Sequence, residues 1–195
     1  ILVMKNIFSE KKKIIIVTGG STYKDDSFYS ELLESDFYKI AADSGLLIFR
    51  RLNILPDFLL GDMDSLREED LHWAKEMKIS LNFYPKEKDA TDTQLAIDFA
   101  ISKGAKKIVL LGGIGSRLDH TLANLYLLEY AYKQGVEIEL VNPNHRILLV
   151  FPGKEIAIRT NKKNMISLIP ITEKISGLTL SGFKWDLQGE AIQRG

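Results

Sequence analysis

Six aspartates stand in short motifs marked by glycine, serine or threonine: Asp43-Ser44-Gly45, Gly61-Asp62-Met63-Asp64-Ser65, Asp89-Ala90-Thr91-Asp92 and Arg117-Leu118-Asp119-His120. A single loop aspartate is often only a cap or turn former, because its carboxylate bonds nearby backbone amides. Cap chemistry does not require two such pairs in one chain. Clustered carboxylates repel each other, so a site built from them is stable chiefly when cations occupy it. Oxygen donors in a chain without cysteine favour Mg2+ over zinc. Mg2+ held this way usually also binds a polyphosphate. Lys86, Lys88 and Arg117 lie in the same loops and suit charge-assisted hydrogen bonds to phosphate oxygens. Gly112-Gly113-Ile114-Gly115-Ser116-Arg117 offers backbone amides just ahead of a helix start, a second way to hold phosphate.

The elements that must position these residues follow a βα pattern. Ile14 to Val17 is a β-branched run ending in Thr18-Gly19-Gly20, which predicts a buried central strand and a tight turn. Tyr38–Ala42, Phe58–Leu60, Leu81–Tyr84, Lys107–Leu111 and Val136–Val141 predict further strands. Ser65 with Glu68, and Thr91 with Gln94, read as capping boxes opening helices, the first running to about Lys78 and the second ending at Gly104. A third helix is predicted from Leu118 to Gln134, with Leu122, Leu125, Leu128 and Tyr132 on its apolar side and Tyr126 and Tyr130 as candidates for the same face. In an open α/β sheet, ligands bind beyond the carboxyl ends of the strands, which is where the aspartates fall.

Past Asn142-Pro143-Asn144 the helical period disappears. Arg146–Phe151, Lys154–Arg159, Met165–Ile169 and Leu178–Leu180 are short strand-like runs separated by turn residues. The expected architecture is therefore a mostly parallel α/β sheet domain over residues 1–142 and a small all-β, sandwich-like domain over 143–195.

Other features narrow the function. The 195-residue chain balances 26 Lys+Arg against 26 Asp+Glu, so it lacks the electrostatic footprint of a general nucleic-acid binder. With 45% hydrophobic and 27% charged residues it reads as globular, and no apolar run approaches a membrane span. No Walker phosphate loop, complete dinucleotide fingerprint or protein-kinase signature is present, and His72, His120 and His145 have no metal-ligand spacing. A soluble cytoplasmic protein is the expectation.

In order and approximate spacing, the aspartate motifs, with Gly112-Gly113-x-Gly115-x-Arg117-x-Asp119-His120 and the tail Gly182-Phe183-Lys184-Trp185-Asp186-Leu187, resemble the thiamine pyrophosphokinase family across residues 14 to 190. The resemblance implies transfer of pyrophosphate from ATP to the hydroxyethyl oxygen of thiamine, giving thiamine diphosphate and AMP. It implies Mg2+ on Asp62, Asp64 and Asp92, with Asp89 and Asp119 beside them in the catalytic group. Asp43, Ser44, Lys88, Thr91, Gly113 and Arg117 are implied at the nucleotide, and Trp185 and Lys184 at thiamine. An indole face suits both a flat pyrimidine and a cationic thiazolium, and Asp186 adds a charge near that cation. The family's cleft between subunits implies a homodimer with its active site at the interface. Family members continue past the position of Gly195 into a strand with a Ser-Asn motif at the thiamine site. Two other classes share the acidic edge: a Mg2+-dependent phosphotransferase or phosphohydrolase, and a non-catalytic nucleotide or thiamine sensor. The Lys184-Trp185 segment argues against the hydrolase, and the intact acidic loops argue against the sensor.

Overall fold

The computed structural model describes residues 13–20, 25–85, 89–158 and 164–194. Lys86 and Lys88, Arg159 and the turn from Asn161 lie outside the described residues, as does everything before Lys13. The chain divides into two compact units, Ile1–Pro152 and Gly153–Gly195.

The first unit is a seven-stranded sheet in the order β4-β3-β2-β1-β5-β6-β7. Its strands are β1 (Lys13–Val17), β2 (Tyr38–Ala42), β3 (Phe58–Gly61), β4 (Ser80–Phe83), β5 (Lys107–Leu111), β6 (Glu137–Val141) and β7 (Arg146–Leu148). All neighbours pair in parallel except β6 and β7. Helices α1 (Asp26–Leu33), α2 (Leu46–Leu52), α3 (Glu68–Glu76), α4 (Asp92–Ser102) and α5 (Leu118–Lys133) supply the crossovers. Because successive strand side chains point to opposite faces, β1 divides its apolar run between two cores. Ile14 and Ile16 join Ala96, Ile97 and Ala100 of α4 and Leu127, Leu128 and Ala131 of α5. Ile15 and Val17 join Tyr29 and Leu33 of α1, Leu46, Ile48 and Phe49 of α2 and Ala74 of α3. The order reverses between β1 and β5, and the crevice at such a reversal is where α/β sheets take ligands.

Several expectations are corrected. The proposed Ser65 cap is not the start of α3. Leu66 is buried and its amide closes a turn on the Met63 carbonyl at 3.2 Å, so the helix begins later, at Glu68, with Arg67 at its N-cap. There the Asp70 carboxylate accepts the Arg67 backbone N–H at 3.2 Å. At α4 the cap stands as expected, with Thr91 Oγ1 accepting the Gln94 amide at 3.2 Å. Helix α5 turns inward only part of the expected face: Leu128 is buried and Leu125 and Tyr130 pack against the core, joined by Asn124, Leu127 and Ala131, whereas Leu122, Tyr126 and Tyr132 are exposed. Asn142 to Asn144 forms a tight turn, the Asn142 carboxamide oxygen accepting the amides of Asn144 at 2.9 Å and His145 at 2.7 Å. That turn returns β7 antiparallel onto β6, so Arg146–Leu148 extends the large sheet.

The second unit contains β8 (Lys174–Leu180) and β9 (Leu187–Gln193), paired antiparallel with two irregularities in register. Among its described residues, Lys154–Ile158 and Met165–Ile169 are not strands, and none is buried. The observed small sheet is thus a two-stranded ladder.

Candidate active site

The carboxylates gather because of local backbone geometry. Gly61, at φ 142°, ends β3, and a side chain at that position would crowd Asp43. Met63 follows in the left-handed region at φ 63° and is 4% exposed, its side chain sunk in the core beneath the loop. Burying Met63 leaves its neighbours Asp62 and Asp64 on the outer side of the turn, where Asp62 Oδ1 accepts the Asp64 amide at 3.1 Å. Asp43, at the end of β2, also has a positive φ, of 47°. A non-glycine residue in this region is uncommon and costs about 1 kcal/mol or more, and such strain gathers at functional sites. One carboxylate oxygen from each of Asp43, Asp62 and Asp64 lies within 4.8 Å of the others.

The electrostatics of this trio are unfavourable without a counter-charge. Burial pushes the Asp43 carboxyl above the ordinary carboxylate range, against hydrogen bonds from Ser65 and Ser44 that oppose the shift, and the charges of Asp92 and Asp62 push it further up. Asp43 Oδ1 is buried without a hydrogen-bond partner. An orphaned carboxylate oxygen inside an all-oxygen donor set fits a hard divalent cation.

The remaining candidates are distributed around this group. Asp92 opens α4 and stands near enough to Asp43 to affect its charge, but the tight grouping contains Asp43 in its place. Asp89 and Thr91 are exposed ahead of that helix. Ser44 follows Asp43 in a single 3-10 turn. Asp119, at the start of α5, is engaged by Arg117, whose Nη2 donates at 2.6 Å; this contact holds the Asp119 carboxyl below its ordinary value. The glycine-rich loop after β5 is fastened by α5: Asn124 Nδ2 donates to the Gly113 carbonyl at 2.8 Å, and the Gly115 amide donates to Thr121 Oγ1 at 3.2 Å. The Gly115 amide is therefore already used and is not part of an open phosphate cradle. In the second unit, the Asp186 carboxylate accepts the Phe183 amide at 2.9 Å and closes the β8–β9 connection. Trp185 at its tip is 73% exposed, with Lys184 Nζ 4.3 Å from the ring centroid.

Sequence reasoning did not single out Thr18, Ser65 as an Asp43 partner, Thr93, Thr121 or Asn124. The available signal was a polar residue on an apolar helix side, since Thr93 and Asn124 are buried members of α4 and α5.

A doubly wound sheet with carboxylates clustered at its strand ends, followed by a small β unit presenting a tryptophan, defines the class as α/β proteins with an acidic site at the strand ends. Comparison with known proteins narrows this. Residues 29–140 match the thiamin pyrophosphokinase catalytic domain and residues 154–195 the thiamin pyrophosphokinase vitamin B1 binding domain. The chain is 35% identical over 186 residues to the thiamine pyrophosphokinase of Bacillus subtilis, covering 94% of this chain and 86% of that protein. The crystal structure of a Bacillus subtilis thiamine pyrophosphokinase superimposes with a TM-score of 0.82 at 31% identity, over 93% of this chain and 84% of that one. The Geobacillus thermodenitrificans enzyme gives 0.78 at 31% identity, over 93% and 83%. The chain belongs to the thiamine pyrophosphokinase family.

Proposed function

We propose that this protein transfers the pyrophosphoryl group of ATP to the hydroxyethyl oxygen of thiamine. The observation that carries the reading is the Asp43-Asp62-Asp64 grouping, with its orphaned Asp43 oxygen, in a chain whose tail matches a vitamin B1 binding domain. The thiamine oxygen forms a bond to the β-phosphorus, the bond between that phosphorus and the α–β bridging oxygen breaks, and AMP leaves. The hydroxyl proton departs as the new bond forms, and the carboxylate edge provides acceptors for it. Little covalent chemistry falls to the protein; catalysis rests on in-line positioning and on neutralising charge.

Asp43, Asp62 and Asp64 would hold Mg2+, with Asp92 at its border. Bound there, the cation would offset polyphosphate charge. Asp89, Asp119, Ser44, Thr91, Gly113, Arg117 and Lys88 are assigned to the surrounding ATP site. Arg117 holds Asp119 through Nε and Nη2, and the other N–H groups of its guanidinium suit phosphate. Trp185 and Lys184 are assigned to thiamine, the indole face meeting the thiazolium cation. The first unit carries the ATP chemistry, and residues from Gly153 the vitamin site. A homodimer with its active site at the subunit interface accounts for a β unit that exposes Met165, Ile169 and Trp185 and buries none of its described residues. The cytoplasm, where ATP is made available, is the assigned location; no described helix is long and apolar enough to cross a membrane.

The test is incubation with thiamine, ATP and Mg2+, followed by chromatography. AMP and thiamine diphosphate are expected in equal amounts. ADP with thiamine monophosphate, or no thiamine-dependent product, would overturn the reading.

A further inference from the structure

The turn that ends β1 carries no charged group, yet it adjoins several of the loops that do. It lies at the reversal of strand order between β1 and β5. Its Thr18 amide donates to the Leu111 carbonyl of β5 at 2.9 Å. A side chain on Gly112 would collide with the Thr18 carbonyl, and one on Gly20 would collide with the Gly112 carbonyl, so these two turns meet backbone to backbone. The Thr18 hydroxyl is hydrogen-bonded to the Thr93 hydroxyl at 3.1 Å, across 75 residues of sequence. Thr93 is 6% exposed and sits in the first turn of α4, next to Asp92.

The two bonds at the start of α4 do different things. Thr91 Oγ1 on the Gln94 amide is local and fixes only the shape of the first turn. The Thr93–Thr18 bond is long-range and sets where that turn stands relative to the β1 turn. Ala96, Ile97 and Ala100 lie in the core and hold the middle of α4, and the Thr93–Thr18 bond adds a polar tie at its first turn. We infer that the Thr18–Thr93 hydroxyl pair is a positioning device, which fixes Asp92 at the β1–β5 crevice where the polyphosphate is handled. Neither residue is a catalytic residue. The inference rests on the pyrophosphoryl-transfer reading, and it assigns a task to two hydroxyls that neither bind metal nor carry charge.

The experiment compares Thr93→Val, which keeps the buried shape, with Thr93→Ser, Thr18→Val and the double valine variant. Thr93→Val should lower kcat between about 10- and 100-fold, the scale of a small misplacement at a reacting centre. The thiamine KM should hold within about twofold, and the melting temperature should shift by only a few degrees. Thr93→Ser should restore most of the rate. The double variant should be no slower than the worse single, because one bond is lost in all three. Hydrogen exchange, read without substrates, should quicken at residues 18–20 and 92–96 in Thr93→Val and return to normal in Thr93→Ser. Full kcat per folded molecule in Thr93→Val, or losses that add in the double variant, would overturn the proposal. If the wild-type protein makes no thiamine diphosphate, the functional reading fails by itself. Unchanged exchange at those residues would then overturn the tether.

Discussion

The two units of this chain are stabilised on different terms. Residues up to Pro152 enclose two apolar cores, one on each face of a seven-stranded sheet. Residues from Gly153 form a two-stranded ladder in which no described residue is buried. A two-stranded sheet is at best marginally stable alone in water. The first unit can therefore support an electrostatically costly site. The second offers accessible surface: Trp185 lies open on a connection closed by Asp186. In an enzyme that handles a polyphosphate and a flat cation, these are complementary contributions.

The largest expected effect belongs to the charged site. Asp62→Asn should lower kcat by roughly 100- to 1,000-fold, the range for losing one well-placed electrostatic group. Its melting temperature should hold or rise, because a repulsive charge is removed. A rate loss accompanied by an equal loss of folded protein would show that the carboxylate supports the fold instead, and would break the contrast between a stable frame and a strained site.

Next comes a carboxylate in the same unit with the opposite role. Asp70 is 1% exposed and accepts hydrogen bonds from the Arg50 guanidinium, the Arg67 side chain and the Arg67 backbone amide. Burial alone would push its carboxyl up, but those bonds outweigh burial and hold it below the ordinary value. Asp70→Ala should cost about 3 kcal/mol in urea denaturation, the low end for breaking a buried ion pair, because Arg50 and Arg67 retain contact with water. A depressed carboxyl contributes stability above the unfolded value near pH 4 and loses it as pH falls through the lower folded value. The wild type and Asp70→Ala should therefore converge in stability only in acid. A gap that stays unchanged however far the pH is lowered below about 4 would assign the effect to packing.

How much of this was legible beforehand follows from what decides each feature. The β1 and β5 runs were readable because a buried parallel strand needs an unbroken β-branched stretch. The apolar face of α5 is readable only in part, with Leu125, Leu128 and Tyr130 inward as expected, because the helix carries apolar residues around much of its circumference. Which of them go inward is decided by the sheet and by Asn124 reaching Gly113, neither of which is a local property. Ser65 satisfied the spacing of a capping box, yet its hydroxyl serves the acidic loop, on Asp64 at 3.2 Å and on Asp43. The carboxylates themselves stood out by type and spacing. That Asp43 joins Asp62 and Asp64 depends on three positive φ angles, at residues 43, 61 and 63, and two of these belong to residues that seldom adopt them. Strand β9, with Gly189 and Glu190 in its middle, has weak β propensity and forms through pairing with β8.

In the second unit the expected pattern reverses. Trp185→Ala should weaken thiamine binding by roughly 1–3 kcal/mol, the combined scale of aromatic and cation–π contact. It should leave the unfolding midpoint nearly unchanged, whereas removing a core tryptophan costs about 3–5 kcal/mol. Equilibrium titration with thiamine and a melting curve on the same preparation distinguish the two. A large loss of stability with unaltered affinity would return Trp185 to a structural role and remove the functional half of the comparison.

The smallest effect is the most pointed, because one residue carries both stability and function. Asp43→Asn preserves size, and asparagine tolerates the left-handed backbone that this position requires. Burial raises the Asp43 carboxyl, so above the unfolded value near pH 4 the ionised residue is less favourable in the folded protein than in the unfolded one. Replacing it should therefore stabilise the metal-free protein at neutral pH by on the order of 1 kcal/mol, a rise of about 2–4 °C. The gain should shrink as pH falls through the raised folded value and be gone below about 4, where both folded and unfolded wild-type chains are protonated at this position. Activity should fall together with the gain in stability, and added Mg2+ should raise the melting temperature of the wild type more than that of the variant. Equal stabilisation of both by Mg2+ would mean that the orphaned Asp43 oxygen is not part of the cation site, and the strain at residues 43 and 63 would then need another explanation.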